Sequence, residues 1–442
     1  MQFNSIPFLF YFLPVFLAVY YITPKRNRNF LMLCGSAVFY YFAVGRRWWC
    51  LGLLCGLTFL VFWAGQWLQL RRSKGLLGLC LIGLAALLIF FKCYAGGTLL
   101  PPGMSFYLFQ MAAYLIDVFR RECPEERSFL RMGAQFMLFP KLLSGPLVQP
   151  KKLQMASRHP SFCANTFFHG LQELILGLAM KVLLADRLGG LWVQAGVAGY
   201  RGISTPLAWM SLVAFALRLY FDFYGYSLMA MGIGRMVGYH LPQNFRDPYG
   251  ACSVSEFYRR WHITLGAWFR EYMYIPLGGS RKGTARTLFN LAVVWAFTGF
   301  WHGVGGNYLL WAGFLFFLIA MEKLWLGKVL KAAPVLGHGY TVFMILLSWV
   351  PFAIGDWEKM LCFLGKLFAQ GTVVNPLDYQ IIGAQYWPYL LAGVFFALPV
   401  STKLLNKLRR TVWGDILLFG LLWAAVYCIA TSAQSPFLYF QF

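Results

Sequence analysis

Charge is what this sequence has least of. Only 12% of its 442 residues are Asp, Glu, Lys or Arg, where a soluble globular chain carries roughly a quarter. Acids are scarcest, 15 against 38 Lys+Arg. So few ionic groups cannot coat a soluble protein of this size. CxxC pairs are missing as well. Several of the ten cysteines, Cys34, Cys55, Cys80, Cys93 and Cys428, lie in or beside apolar runs, where Cys packs as a small hydrophobe. Zinc-finger and thioredoxin-like chemistry therefore find no support, and no metal site is expected. Internal repeats and low-complexity tracts are also lacking, which argues against repeat-built transporters and disordered chains. The first residues, MQFNSIPFLFYFLPVFLAVYYI, have no basic leader and no small-residue cleavage site, so they are read as a retained first span.

What is present is apolar: 60% hydrophobic and 19% aromatic. A helical span needs about 20 mostly apolar residues. Runs of that kind lie near 6–22, 30–44, 48–69, 76–95, 166–184, 207–223, 288–300, 307–325, 340–354, 385–400 and 414–431. The alternating pattern of a β-barrel is absent. Between them these runs predict an all-α polytopic membrane protein of about eleven or twelve spans. Residues 101–148 are apolar but interrupted by Pro101, Pro102, Gly103, Pro140, Gly145 and Pro146, which suits re-entrant or broken helices. Residues 226–280 interleave aromatic, apolar and basic side chains, as interfacial helices do. Two parts are expected: a membrane domain over 1–413, and a last span with an outward aromatic tail over 414–442.

The net charge of +23 would suggest nucleic acid in a soluble chain. Here the basic residues cluster between apolar runs, as in Lys25/Arg26/Arg28, Arg71/Arg72/Lys74 and Arg281/Lys282/Arg286. That is the positive-inside pattern, aided by anionic headgroups. Membrane lipids, and no nucleic acid, are the expected partners. The basic loops after the first run and at Lys403–Arg410 read as cytoplasmic, which sets both termini outside.

Polar groups kept within apolar sequence advertise function. One block is Glu256-Phe-Tyr-Arg-Arg-Trp-His262, continuing through Trp268, Arg270 and Glu271 to Gly278-Gly279; the other is Thr298-Gly-Phe-Trp-His302-Gly303. Of the six histidines, only His262 and His302 have such settings; His159, His169, His240 and His338 fall in or near loops or span ends. A neutral imidazole offers general-base catalysis near pH 7, which suits acyl transfer to a hydroxyl. On residues alone, a structural or transport histidine stands equally open at His302. Gly303 would permit close approach of a ligand. Asp222 sits at i+4 from Arg218 and is expected to pair with it as scaffold. Arg259, Arg260 and Arg270 suit the phosphates of a donor or lipid headgroups. Lys141 either lines the donor side or snorkels. Trp261 and Trp301 would shape a tunnel wall.

The segments PPGMSFYLFQMAAYLIDVFR (101–120), FMLFPKLLSGPLVQP (136–150), YFDFYGYSLMAMGIGRMVGYHLPQNFRDPY (220–249), SEFYRRWHITLGAWFREYMYIPLGGSRKG (255–283) and TGFWHG (298–303) resemble the membrane-bound O-acyltransferase (MBOAT) family. The likeness is to its bacterial alginate and peptidoglycan O-acetyltransferase branch, and it runs through most of residues 1–325. It implies a ring of helices around a thin centre, with a tunnel joining a cytoplasmic donor funnel to an outer acceptor funnel. It also implies His302 as catalytic base, with His262 assisting. His302 would then lie within the membrane, whereas hydropathy sets it nearer the outer end of a short span.

The sequence departs from the family pattern at Leu228, at Trp311–Phe316, which lacks a histidine, and at Gly305-Gly306. The implied activity moves an acyl group, most readily acetyl, from acetyl-CoA or an acyl carrier protein to a hydroxyl of an extracytoplasmic polysaccharide or peptidoglycan. An extracytoplasmic acyltransferase- or esterase-like partner would complete the transfer, and no tightly bound cofactor is implied. D-alanyl transfer to teichoic acid and a transporter or flippase are the alternatives. The tail, Ser435 to Phe442, reads either as an interfacial aromatic anchor or as an acyl relay through Tyr439.

Overall fold

The computed structural model describes residues 1–94, 99–158, 163–197, 199–431 and 437. Among them every regular element is helical. Six helices are long and apolar enough to cross a bilayer: Trp48–Arg71, Lys74–Cys93, Thr205–Met236, Gly306–Ala332, Pro334–Ala353 and Val412–Thr431. The pair Asp378–Ala397 and Pro399–Leu408, bent by 84°, makes a seventh if counted as one span. The chain is thus a multi-pass membrane protein.

The other expected runs are helical too, but shorter or broken. Residues 6–22 begin with a π-turn, Pro7–Phe12. The run near 166–184 passes from Ala164–Ala179 into a π-turn, Met180–Ala185. The run near 288–300 is the C-terminal part of Gly283–His302. Counted by length and composition, single-helix spans are therefore fewer than the apolar runs.

The chain divides into two compact units. The first comprises 1–178, 225–243 and 421–441; the second 179–224, 244–420 and 442. Helix Thr205–Met236 gives its residues through Tyr224 to the second unit and those from Gly225 to the first.

In the first unit, Phe3, Phe8, Phe39, Phe139 and Tyr226 form a buried aromatic core. Phe437 joins it edge-on to Tyr226, ring centroids 5.1 Å apart. Helix Ala164–Ala179 packs against Gly225–Met236 through glycines. A Cβ on Gly232 would fall 2.4 Å from the Gly170 carbonyl oxygen, and one on Gly177 would fall 2.5 Å from that of Gly225. Such contacts let helix backbones meet where no hydrophobic drive separates protein from lipid. The Pro-rich segment is packed rather than exposed. Gly103, at φ +79°, turns the chain into helix Met104–Arg120, and a Cβ there would strike the Leu142 carbonyl at 2.3 Å.

In the second unit, the hairpin Gly283–His302 / Gly306–Met321 is tight. A Cβ on Gly299 would meet Ala312 Cβ at 2.9 Å. Helix Pro334–Ala353 packs on it through Trp349 and Phe352.

Candidate active site

The second unit gathers both distinctive histidines. His302 is the last residue of helix Gly283–His302, buried at 8% exposure. Its ring meets Trp311 edge-on (5.0 Å, 87°), Phe352 (5.1 Å, 79°) and Trp301 (4.6 Å, 64°), and lies parallel to Tyr308 at 6.5 Å. These partners come from three helices, so the imidazole is held by rings on several sides.

Gly303, expected to admit a ligand, has extended backbone (φ 177°), and its missing side chain is what admits the Tyr308 ring: a Cβ would lie 2.3 Å from that ring. The close approach is therefore made by the chain's own aromatic.

His262 sits between two short helices, Val254–Arg260 and Ile263–Phe269. Its backbone is left-handed (φ 46°, ψ 51°). For a residue with a Cβ this costs on the order of 1–3 kcal/mol and persists only where neighbours enforce it. They do: Ile263 N–H donates to the Asn244 carbonyl (2.9 Å), Thr264 Oγ1 donates to Asn244 Oδ1 (2.6 Å), and the His262 carbonyl starts the next helix. The ring is buried against Phe223 (4.7 Å) and Trp301 (6.3 Å). Trp301 thus contacts both imidazoles. Burial pushes the His262 pKa down, so its ring is neutral at pH 7.

The helix that delivers His262 is anchored from afar. Glu322, buried at the end of the apolar helix Gly306–Met321, accepts the backbone N–H groups of Val254 (2.6 Å) and Ser255 (2.9 Å). Ser253 caps the same helix by accepting Glu256 N–H (3.0 Å). A carboxylate at a helix N-terminus satisfies orphan donors and suits the dipole.

The remaining candidates separate. Trp261 packs among Phe257, Phe245 and Trp349, and Trp349 leads on to Trp311. One aromatic wall therefore links Trp261 to His302. Arg260 is committed to Glu256 (2.5 Å) and to the Asp247 carbonyl (3.2 Å). Arg259 and Arg270 are exposed.

Asp222 pairs with Lys181 at 2.7 Å, with the expected Arg218 charge acting on it besides, and Lys181 also reaches Asp186 at 2.7 Å. The i+4 rule governs exposed helix faces; here a buried lysine from the π-turn Met180–Ala185 brings a full charge to a buried carboxylate. Tyr439 lies outside the described residues. No group of three or more His, Cys, Asp or Glu that could hold a metal occurs among the described residues.

Sequence reading missed Glu322 and Trp311. A lone acid ending an apolar run was the available signal for Glu322. Trp311 stood out only as a departure from a family pattern. Its indole Nε1 is buried and has no hydrogen-bond partner among the described residues, a donor directed at no protein acceptor beside His302.

A family profile described as "MBOAT, membrane-bound O-acyltransferase family" matches residues 119–363. The chain belongs to this family. It is 31% identical, over 100% of both chains, to the Pseudomonas putida protein named Probable alginate O-acetylase AlgI. It is 28% identical to the Helicobacter pylori peptidoglycan O-acetyltransferase over 100% of this chain and 97% of that one. With the teichoic acid D-alanyltransferase of Streptococcus thermophilus it shares 25% identity over 51% of this chain and 57% of that one. The chain is therefore a membrane O-acyltransferase, an enzyme.

Proposed function

We propose that this O-acyltransferase carries an acetyl group from a cytoplasmic thioester, acetyl-CoA or an acylated carrier protein, to a hydroxyl of an extracytoplasmic polysaccharide or peptidoglycan. The observation that carries the proposal is His302, buried in an aromatic box with His262 across one shared indole. Apolar walls exclude water that would hydrolyse the thioester.

In this reading His302 removes the acceptor hydroxyl proton. The oxygen attacks the thioester carbonyl, the tetrahedral intermediate collapses, and the sulfur leaves with the proton that the imidazolium returns. The products are an ester and a thiol. The negative oxygen of the intermediate needs a preorganised donor. Trp311 Nε1, buried beside His302, is suited to it. His262 orients the substrate or the second imidazole. Trp261 and Trp301 line the path, Asp222 with Lys181 braces it, and the exposed Arg259 and Arg270 receive donor phosphates, with Arg260 held by Glu256 beside them.

The enzyme would sit in a bacterial plasma membrane with both termini outward, as the basic loops argue. Residues 1–413 would form the acyltransferase domain. Residues 414–442 would add a last span and an outward tail in which Tyr439 relays the acyl group. A partner on the outer side would set it on the polymer.

The direct test is thiol release by the purified protein supplied with acetyl-CoA and an acceptor oligosaccharide or phenol. Acetyl-dependent release lost in His302→Ala supports the reading. Release only with a D-alanyl carrier protein would transfer the assignment to teichoic acid chemistry.

A further inference from the structure

The four rings named around the His302 imidazole are not equivalent. Trp301, Trp311 and Phe352 are buried, whereas Tyr308 is half-buried. The three buried rings meet the imidazole at steep angles, with centroids 4.6, 5.0 and 5.1 Å away. Tyr308 lies near-parallel to it, at 22° and 6.5 Å. Of these four walls, the Tyr308 side is the most distant and the one left partly open.

The local sequence holds Tyr308 in that place. Its N–H donates to the Gly305 carbonyl (3.1 Å). Its own carbonyl sits where a Cβ on Gly299 would fall 2.9 Å away, and its ring fills the space that a Gly303 side chain would take. The neighbouring Asn307 donates from Nδ2 to the Pro351 carbonyl (3.0 Å), and the next residue, Phe352, meets the Tyr308 ring edge-on at 5.7 Å and 82°. The phenol is thus fixed between two helices, and packed walls of this kind resist compression.

Carbon atoms in contact lie about 3.5–4.0 Å apart. A spacing of 6.5 Å between near-parallel rings is just under two such layers, space at most for a flat carbonyl with its methyl group. A longer acyl chain on that side must displace the Tyr308 ring. We propose that Tyr308 is the specificity-determining wall of the acyl site, admitting a two-carbon group beside His302 and excluding longer chains. The proposal deepens the reading of His302 as the base of thioester chemistry and rests on it.

The test uses the full-length protein in detergent. Thiol release is measured from acetyl-, propionyl- and butyryl-CoA, with a phenol as acceptor, and from the same acyl groups on phosphopantetheine. Wild type should favour each shorter chain by about 10- to 200-fold in kcat/KM, the usual effect of one methylene at a hydrophobic pocket. Tyr308→Phe keeps the ring and should keep the ratios. Tyr308→Ala should bring the three substrates close to parity. Tyr308→Leu, which preserves more of the packing, should fall between. Leu310→Ala, on an exposed position of the same helix, should leave the ratios intact. Because each ratio is taken within one protein, a lower yield of a variant does not alter it. A wild type that takes butyryl as readily as acetyl overturns the proposal without any variant. So do wild-type ratios in both Tyr308→Ala and Tyr308→Leu.

If no thioester is cleaved, the functional reading falls, and chemical labelling decides the wall by itself. Dimethyl, diethyl and dibutyl pyrocarbonate transfer acyl groups of increasing size to imidazole, and His302 is read by peptide mass spectrometry. Small-over-large selectivity in wild type that disappears in Tyr308→Ala retains Tyr308 as the wall. Equal selectivity in the two proteins, or no labelling in either, removes it.

Discussion

The His302 imidazole meets the Trp311 indole edge-on, with ring centroids 5.0 Å apart and planes at 87°. The relation joins the two helices of the hairpin Gly283–His302 / Gly306–Met321 near their shared end. It sets a buried N–H donor beside the residue read as the base. Phenylalanine at 311 would keep a ring in that place and delete the donor. Trp311→Phe should therefore fold normally yet lower kcat on the order of 10²-fold, the usual effect of losing one oxyanion donor. Steady-state kinetics on purified protein check it, and a change confined to KM would assign Trp311 to packing.

Glu322 acts through the helix that carries His262. Its two bonds to Val254 and Ser255 are charge-assisted, a class worth roughly 1.5–3 kcal/mol each. Glu322→Ala should lower the melting temperature and reduce turnover together. Glu322→Gln, which retains one acceptor oxygen, should fall between. A variant with lowered melting and full turnover would separate the anchor from the site.

The Lys181–Asp222 pair is almost fully buried, with side-chain exposures of 1% and 2%. Removing one partner strands the other charge at about 3–5 kcal/mol. Lys181→Met should therefore abolish accumulation of folded protein. Lys181→Met with Asp222→Leu should recover part of the loss, because neither member of the pair is then left alone. Thermal unfolding in detergent decides, and two simply additive losses would argue against coupling.

The helix contact at Gly232 is backbone on backbone. Gly232→Ala sets a Cβ 2.4 Å from the Gly170 carbonyl, and overpacking of this kind costs about 1–3 kcal/mol. Lower folded yield is expected from fluorescence-detected size-exclusion chromatography, with Gly420→Ala, which has open space around it, unchanged.

Tyr439→Phe keeps the aromatic tail and removes the hydroxyl. If the tail relays acyl groups, envelope acylation should be lost while thioester cleavage with a soluble acceptor persists. Unchanged envelope acylation would leave the tail as an anchor.

The spans were legible where apolar residues run unbroken, as at 48–69 and 414–431, because bilayer thickness alone dictates such lengths. Runs near 6–22 and 166–184 looked the same but contain π-turns, which have no sequence period. His262 and His302 stood out because polar groups are rare in this chain. Their shared neighbour Trp301 was visible only as a flank of His302; its contact with His262 depends on how the chain folds. Local spacing matched Asp222 to Arg218 on its own helix but could not show its ion-pair partner Lys181, which belongs to another element. Glu322 lies 68 residues from Val254, and no periodicity links them.

The central claim is that His302 drives acyl transfer to an envelope polymer. Ester-linked acetate should be measured in the polysaccharide and peptidoglycan fractions of cells expressing wild type or His302→Ala at matched membrane levels. The account predicts that acetate disappears from one polymer in the His302→Ala cells. Equal acetate in every fraction of both strains would contradict it.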